Sequence, residues 1–193
     1  MFLLAPGCAL RKYKPYLIQK VKDFLMCGEY LPCCKEFQDP GKYTTLIACC
    51  PYCLHMFESK NVKTVSLWKM LLDSDFHFPD YNGERMTIHD SCHARKRNSS
   101  EMQSAVRNLC RRMNITLIEP HYTRDDTRCC GGSSKDYETR KQMALNRAMD
   151  FPERNVVVYC TGCVRSFSLT NVYPRHILDL LFEEPTEGLT VIR

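Results

Sequence analysis

The sequence predicts an α/β fold built from two repeated halves, each organised around a cysteine site. The first observation is a cysteine pattern, C…CC…CxxC, that occurs twice in the same order. The second is that the residues around the first cysteine of each copy are similar, since Cys8-Ala-Leu-Arg-Lys12 matches Cys92-His-Ala-Arg-Lys96. The third is the alternation of short apolar runs with amphipathic segments, which is typical of α/β proteins.

The repeat extends beyond the cysteines. Two further pairs of segments align between the copies: 45–57 with 155–167, and 65–72 with 175–182. Self-similarity of this kind indicates two homologous units. We therefore expect an N-terminal half at 1–83 and a C-terminal half at 84–193, with Tyr81-Asn-Gly83 as a turn between them. The gaps between the cysteines are shorter in the N-terminal half, which predicts a shortened copy.

The N-terminal half is expected to begin with a strand at Phe2–Ala5. Pro15 suits the first turn of a following helix, where its missing N–H is not needed. That helix presents one apolar face: Leu17, Ile18, Val21, Phe24 and Leu25. A second apolar strand then ends at the CxxC of Cys50 and Cys53, which opens another helix.

The C-terminal half repeats this order with longer connections. The expected strands are Met86–Ile88, Ile115–Ile118 and Val156–Tyr159, which are short and rich in β-branched residues. Ser100-x-x-Gln103 is typical of a capping box, and the helix that it would begin has an apolar face. That face comprises Val106, Leu109, Cys110 and Met113. The long gap before the last strand has room for a helix at Asp136–Met149.

The cysteine content distinguishes a metal or redox protein from a disulfide-stabilised secreted protein. The count of 13 is odd, so the thiols cannot all pair internally. We see no secretory signal and no apolar run of membrane-spanning length, and therefore expect a cytoplasmic protein whose thiols stay reduced. Dense cysteine in that compartment indicates metal or redox chemistry, whereas a secreted chain would be a disulfide scaffold.

The formal net charge of +5 does not indicate a nucleic-acid surface. Basic runs such as Arg95-Lys-Arg97 lack interleaved aromatic residues, so we interpret them as solvated faces. A docking patch for an acidic electron-transfer partner is the alternative interpretation.

The spacing of the cysteines suits an iron–sulfur cluster. A CxxC places two sulfurs on one tight turn, and adjacent cysteines can serve different irons of a larger cluster. Structural zinc and cubane clusters each take four thiolates, so five per half leaves one thiol to bridge irons, exchange with substrate or play no role. The ten candidate ligands are Cys8, Cys33, Cys34, Cys50 and Cys53, followed by Cys92, Cys129, Cys130, Cys160 and Cys163. We expect Cys27, Cys49 and Cys110 to be buried apolar residues instead.

Two histidines flank one candidate ligand. His89 and His93 lie on either side of Cys92, where they could donate hydrogen bonds to cluster sulfurs, tune the potential or move protons. Ordinary structural roles are the alternative. The chain has no GxGxxG or P-loop motif, so we expect no nucleotide or flavin site on it. Electrons would then have to come from another protein.

Four motifs together resemble the cysteine-rich CCG domain. They are His89-Asp-Ser-Cys-His93, Cys129-Cys-Gly-Gly132, Cys160-x-x-Cys163 and His176-Ile-Leu-Asp-Leu-Leu181. That domain occurs in the heterodisulfide reductases, in iron–sulfur subunits of glycolate oxidase and anaerobic glycerol-3-phosphate dehydrogenase, and in a lactate-utilisation protein. The family carries the domain twice. The N-terminal half departs from the motif at Cys33-Cys-Lys35, which lacks the glycine.

The resemblance implies a [4Fe-4S] cluster at each motif, in a cubane form or in the non-cubane form that five cysteines hold in heterodisulfide reductases. It implies an oxidoreductase subunit that reduces a disulfide or related thiol substrate at the cluster. A flavoprotein or a ferredoxin-like protein would supply the electrons. The alternatives are a non-catalytic electron-transfer subunit of a flavoprotein complex and a zinc-stabilised interaction module.

Overall fold

A computed structural model describes residues 2–27, 44–95 and 99–187. The chain divides into two compact units, Met1–Asp75 and Phe76–Arg193. Each unit has its own sheet of parallel strands with helices between them, which confirms the predicted α/β class. No helix in the described ranges has the length and apolar character that a membrane span requires.

The first unit alternates strands and helices. Its elements are β1 (Phe2–Ala5), α1 (Cys8–Tyr13), α2 (Pro15–Phe24), β2 (Thr45–Ala48), α3 (Pro51–Glu58), β3 (Thr64–Ser66) and α4 (Leu67–Leu72). The strands pair in the order β1-β2-β3, and both pairings are parallel. β2 is buried along its whole length because it is the central strand, which explains its largely apolar sequence.

The local sequence explains the helices of this unit. Pro15 lies in the first turn of α2, and the helix buries Leu17, Ile18 and Val21 as its apolar periodicity predicts. In α4, Trp68 is fully buried. The predicted strand at Phe2–Ala5 and the predicted amphipathic helix after Pro15 are confirmed, but the short helix α1 between them was not predicted.

The second unit also alternates strands and helices, with more elements. They are β4 (Arg85–His89), a 3₁₀ turn (Cys92–Arg95), α5 (Ser99–Arg112), β5 (Thr116–Ile118), a 3₁₀ turn (Arg124–Asp126), α6 (Tyr137–Ala148), β6 (Asn155–Val158), α7 (Thr161–Phe167), β7 (Tyr173–His176) and α8 (Ile177–Leu181). The strand order is β5-β4-β6-β7, and every pairing is parallel. The carboxyl ends of the strands therefore meet at one edge of the sheet, where functional residues of α/β proteins gather. His89 at the end of β4 pairs with Val158 at the end of β6.

The turn before β4 has the predicted form. Asn82 and Gly83 have positive φ angles of 51° and 77°, and the Glu84 N–H donates to the Tyr81 carbonyl at 2.9 Å. Two positive φ angles in succession define a type I′ turn, which the Asn-Gly pair favours. The turn lies inside the second compact unit, and a boundary between repeated halves at residue 83 stays a prediction.

Two local expectations differ from the structure. The predicted capping box is wrong, because α5 begins at Ser99 and Ser100 is already helical. The Gln103 amide instead donates to the Ala94 carbonyl at 2.8 Å and to Asp125, which ties α5 to the cysteine turn before it. The last strand of each sheet, β3 in the first and β7 in the second, was not predicted. Both are short, and β7 contains Pro174, which suits its position at the sheet edge.

Candidate metal centre

The second unit gathers its five candidate cysteines at the carboxyl edge of the sheet. Cys92 lies three residues beyond β4, in a 3₁₀ turn. Cys160 follows β6 and is the N-cap of α7, and Cys163 lies in the first turn of that helix. The pair Cys129-Cys130 comes from the loop that precedes α6. Three separate chain segments therefore deliver thiols to one place because the strands are parallel and in register.

The five sulfurs form one continuous set of contacts. Cys92 Sγ lies 3.5 Å from Cys129 Sγ, and Cys130 Sγ lies 3.3 Å from Cys163 Sγ. Cys129 also hydrogen-bonds to Cys130, and Cys160 hydrogen-bonds to Cys163. All the described cysteines are free thiols, so none of these contacts is a disulfide.

The crowding of the thiols governs their ionisation. Contacts with Cys130 and then with Cys92 hold the pKa of Cys129 well below its usual range. The same contacts have the opposite effect on the other two thiols. The contact with Cys129 raises the pKa of Cys92, and it raises that of Cys130 to about 12. Like charges this close cannot all ionise without a compensating cation, so the donor set fits a bound metal or cluster.

Glycines let the two cysteine turns approach each other. The Gly131 N–H donates to Cys129 Sγ at 3.3 Å, and Gly131 has a φ of 77°. A methyl group on Gly132 would lie 2.6 Å from the Gly162 carbonyl oxygen, which is closer than side-chain carbons come. The backbone of the Cys-Cys-Gly-Gly turn therefore packs directly against the backbone of the CxxC turn. Only a residue without a side chain permits this close approach.

His89 is buried beside these sulfurs, with 1% of its surface exposed. A ring nitrogen of His89 and the sulfurs of Cys130 and Cys163 lie within 4.8 Å of one another. Its Nδ1 accepts a hydrogen bond from Arg147 Nε at 3.3 Å. Burial, followed by the charge of Arg147, lowers the pKa of His89 to about 3. This ring is therefore neutral at physiological pH.

The other histidines lie in different settings. His93 is half-buried in the 3₁₀ turn that also carries Cys92, and its backbone N–H donates to Ser91 Oγ at 3.3 Å. His176 caps α8, because its Nδ1 accepts the Leu178 N–H at 3.3 Å. His176 thus has a structural role.

A buried polar network, which sequence patterns did not reveal, supports the cysteine turns. The Asp90 carboxylate accepts hydrogen bonds from Arg107, from the Tyr159 hydroxyl at 2.8 Å and from the Arg124 N–H at 2.8 Å. The Thr127 hydroxyl donates to the Asp90 carbonyl at 2.8 Å. The sequence feature that could have indicated this network is the aspartate inside the His-Asp-Ser-Cys-His motif. Its hydrogen-bond partners, however, come from distant segments of the chain.

A cleft opens next to one of the thiols. It has a volume of about 530 Å³, and half-buried Cys129 forms part of its wall. The remaining lining residues are Arg95, His121, Tyr122, Asp126, Thr127 and Arg128. The guanidinium of Arg128 lies 3.4 Å over the Tyr122 ring. A small molecule in this cleft would contact the sulfur site directly.

The first unit brings part of its candidate set together. Cys50 is the N-cap of α3, and Cys53 is buried inside that helix. A methyl group on Gly7 would lie 3.3 Å from Cys53 Sγ, so the turn that precedes exposed Cys8 packs against the CxxC turn. Cys33 and Cys34 lie outside the described residues.

The three cysteines that were expected to be apolar filler differ from one another. Cys110 is fully buried in α5, and burial raises its pKa to about 12. Cys49 is buried as well, and its pKa is raised by burial and then by Cys53 and Cys27 nearby. Cys27 is only half-buried. The expectation of a buried residue is therefore confirmed for Cys110 and Cys49, and it is wrong for Cys27, which is partly exposed.

Part of the second unit matches a known protein family. Residues 86–168 match the family model of the CCG cysteine-rich domain, which confirms the resemblance for that stretch. The match spans the cysteine motifs from Cys92 to Cys163. No curated protein and no solved structure matches the chain.

Proposed function

We propose that this protein, whose residues 86–168 match the CCG cysteine-rich domain, is an iron–sulfur oxidoreductase subunit that reduces a disulfide or related thiol substrate. The observation that carries the proposal is the set of five contacting thiols at the carboxyl edge of the second sheet. Reduced thiols in this density also suit a cytoplasmic location.

The donor set favours an iron–sulfur cluster over zinc. A structural zinc ion and a cubane cluster each take four ligands, whereas this site offers five sulfurs, which favours the non-cubane cluster that five cysteines hold. A backbone N–H is also directed at one of the sulfurs, as suits an anionic cluster. The ligands in our proposal are Cys92, Cys129, Cys130, Cys160 and Cys163. A [4Fe-4S] cluster, in cubane or non-cubane form, would supply one-electron transfer at this site.

The cleft beside Cys129 favours a catalyst over a simple relay. An electron carrier needs only a short path to its partner, whereas a reductase needs space for a substrate next to the redox centre. The cleft of about 530 Å³ provides that space. The reaction R–S–S–R′ + 2 e⁻ + 2 H⁺ → R–SH + R′–SH breaks one sulfur–sulfur bond, and a flavoprotein or ferredoxin-like partner would deliver both electrons.

The non-catalytic alternative has one observation in its favour. Cys92, Cys129 and Cys160 are only half-buried, so a cluster held by them would be accessible to a partner's redox group. In that case the protein would be an electron-transfer subunit of a flavoprotein oxidoreductase complex.

We propose further that the two units are copies of one half-domain with a second cluster in the first. In each unit a strand leads to a cysteine turn, the next strand in the repeat leads to a CxxC at a helix start, and an edge strand leads to a short helix. The sheet orders β1-β2-β3 and β4-β6-β7 support the correspondence. Cys8, Cys33, Cys34, Cys50 and Cys53 would be the ligands of the second cluster.

Analysis of anaerobically purified protein tests the metal assignment. We expect brown protein with about four iron and four sulfide per cluster and an EPR signal after reduction. Colourless protein that contains only zinc would contradict the proposal.

Disulfide turnover with a low-potential donor tests catalysis. Arg128 lies in the cleft wall, so Arg128→Ala should raise the KM for the disulfide without changing the iron content. Arg154 is exposed outside the cleft, so Arg154→Ala should leave both the KM and the iron content unchanged. A fully loaded protein that shows no turnover with any small disulfide would favour the electron-transfer subunit.

A further inference from the structure

The two ring nitrogens of His89 have different environments. Nδ1 accepts the hydrogen bond from Arg147 Nε at 3.3 Å. Nε2 is buried and has no hydrogen-bond partner among the residues that the structure describes. The ring lies edge-on to Phe167, with 4.9 Å between centroids, and to Phe151. An imidazole held this closely and left with one unpaired nitrogen needs an explanation.

The contact with Arg147 determines where the imidazole proton resides. A guanidinium nitrogen only donates, since arginine stays protonated in proteins. Nδ1 must therefore offer its lone pair, and the proton of the neutral ring must lie on Nε2. This assignment follows from the polarity of one hydrogen bond.

Arg147 is itself held in a single orientation. Its side chain is 1% exposed, and Nη2 donates to the Tyr122 carbonyl at 2.6 Å. Nη1 pairs with Asp150 Oδ2 at 3.1 Å, and the guanidinium lies 4.5 Å over the Phe151 ring. With both terminal nitrogens engaged, Nε remains directed at His89.

The imidazole ring of His89 lies next to the sulfurs. A ring nitrogen of His89 is within 4.8 Å of both Cys130 Sγ and Cys163 Sγ, and Nδ1 is already occupied by Arg147. A metal-ligating histidine shows the opposite polarity, because its free nitrogen donates to a carboxylate or carbonyl group. His89 therefore cannot serve as a ligand through Nε2 while Arg147 holds Nδ1.

We infer that the Nε2–H of His89, which has no partner among the described residues, donates to the sulfur of Cys130 or Cys163 when the cluster is bound, and that Arg147 is the positioning residue that enforces this tautomer. The inference rests on the proposed iron–sulfur site. Hydrogen bonds to cluster sulfurs stabilise the more negative, reduced state and so raise the reduction potential. His89 and Arg147 thus set the potential of the cluster without binding iron.

Redox titration of variants tests this role. His89→Phe should keep the wild-type iron and sulfide content but shift the midpoint potential to a more negative value. His89→Gln, which retains a side-chain N–H, should restore part of that shift. Arg147→Met should also lower the potential, whereas Lys141→Met, which removes a charge from the same helix, should change it less. Loss of iron from His89→Phe, or an unchanged potential, would overturn the inference.

NMR of ¹⁵N-histidine-labelled protein provides a test that does not require the cluster. We expect His89 to show an unprotonated Nδ1 and a protonated Nε2 in metal-free protein, and a mixture of tautomers in Arg147→Met. A protonated Nδ1 in the wild type would overturn the inference. Absence of iron and sulfide from anaerobically purified wild type would instead refute the proposed function, so the two failures are distinguishable.

Discussion

Arg107 donates two hydrogen bonds to the carboxylate of Asp90, at 3.0 Å from Nη1 and 2.8 Å from Nη2. The arginine side chain is 7% exposed and the aspartate is fully buried. Because Asp90 also binds Tyr159 and Arg124, this pair connects the turn of Cys92 with the segments that lead to Cys129 and Cys160. A single buried carboxylate thus fixes the relative positions of three cysteine segments.

Replacing Arg107 by methionine should destabilise the fold strongly. The change leaves the Asp90 charge buried and unpaired, which typically costs about 3–5 kcal/mol. Urea unfolding of the metal-free protein measures the effect. Arg111→Met, on the exposed side of the same helix, should stay within about 0.5 kcal/mol of the wild type. Equal stability of the two variants would contradict the role of the pair, and adding Asp90→Asn to Arg107→Met should recover part of the loss.

Glu119 should make the stability depend on acidic pH. Burial alone would raise its pKa, but the hydrogen bonds from Arg107 and Thr123 hold the pKa below its ordinary value. A group whose pKa is depressed in the folded state stabilises the fold above its unfolded pKa of about 4.3, and that contribution disappears as the pH falls through the folded pKa. The stability difference between wild type and Glu119→Gln should therefore be largest near neutral pH and shrink below about pH 4. Chemical denaturation across this range measures it, with exposed Glu101→Gln as the control. A difference that grows on acidification would contradict the prediction.

Gly132→Ala should disrupt the contact between the two cysteine turns. The added methyl group would lie 2.6 Å from the Gly162 backbone oxygen, which cannot rotate away as a side chain can. Overpacking of this kind costs about 1–3 kcal/mol, and the shifted turn should also hold less iron. Gly162→Ala is the matched control, because its methyl group would meet Cys160 Sγ at an ordinary 3.5 Å. Iron analysis and unfolding measure both variants, and a fully loaded, stable Gly132→Ala protein would refute the packing argument.

Cys160→Ser should remove one cluster and leave the other. The serine hydroxyl is a poor substitute for a thiolate, so iron and sulfide should fall by the content of one cluster. Cys110→Ser, at a buried position in α5 that is not among the proposed ligands, should keep the full content. Elemental analysis with EPR reports both results. If Cys160→Ser retained all its iron, the ligand assignment would be wrong.

Sequence patterns predicted the elements whose signals are local. The apolar periodicity behind Pro15 predicted α2, and the gap after Cys130 predicted the helix that forms at Tyr137–Ala148. The prediction of a capping box was wrong because the Gln103 amide donates to Ala94 and Asp125 instead. No local sequence pattern indicates these partners. β7 was not predicted, since a short edge strand containing proline has little pattern to detect.

The order and spacing of the cysteines, with the motifs around them, predicted the CCG-type domain that residues 86–168 match. A second thiol site in the N-terminal half stays a prediction. These patterns could not show that Arg147, 58 residues from His89, selects the tautomer of that ring, or that Arg107 pairs with Asp90. Periodicity records which face of a helix or strand is buried, and it depends on near neighbours. Contacts between distant residues depend on strand register and on how α5 and α6 pack over the sheet. The thiols could therefore be identified along the chain, but the residues that hold and tune them emerged from the packing of the strands and helices.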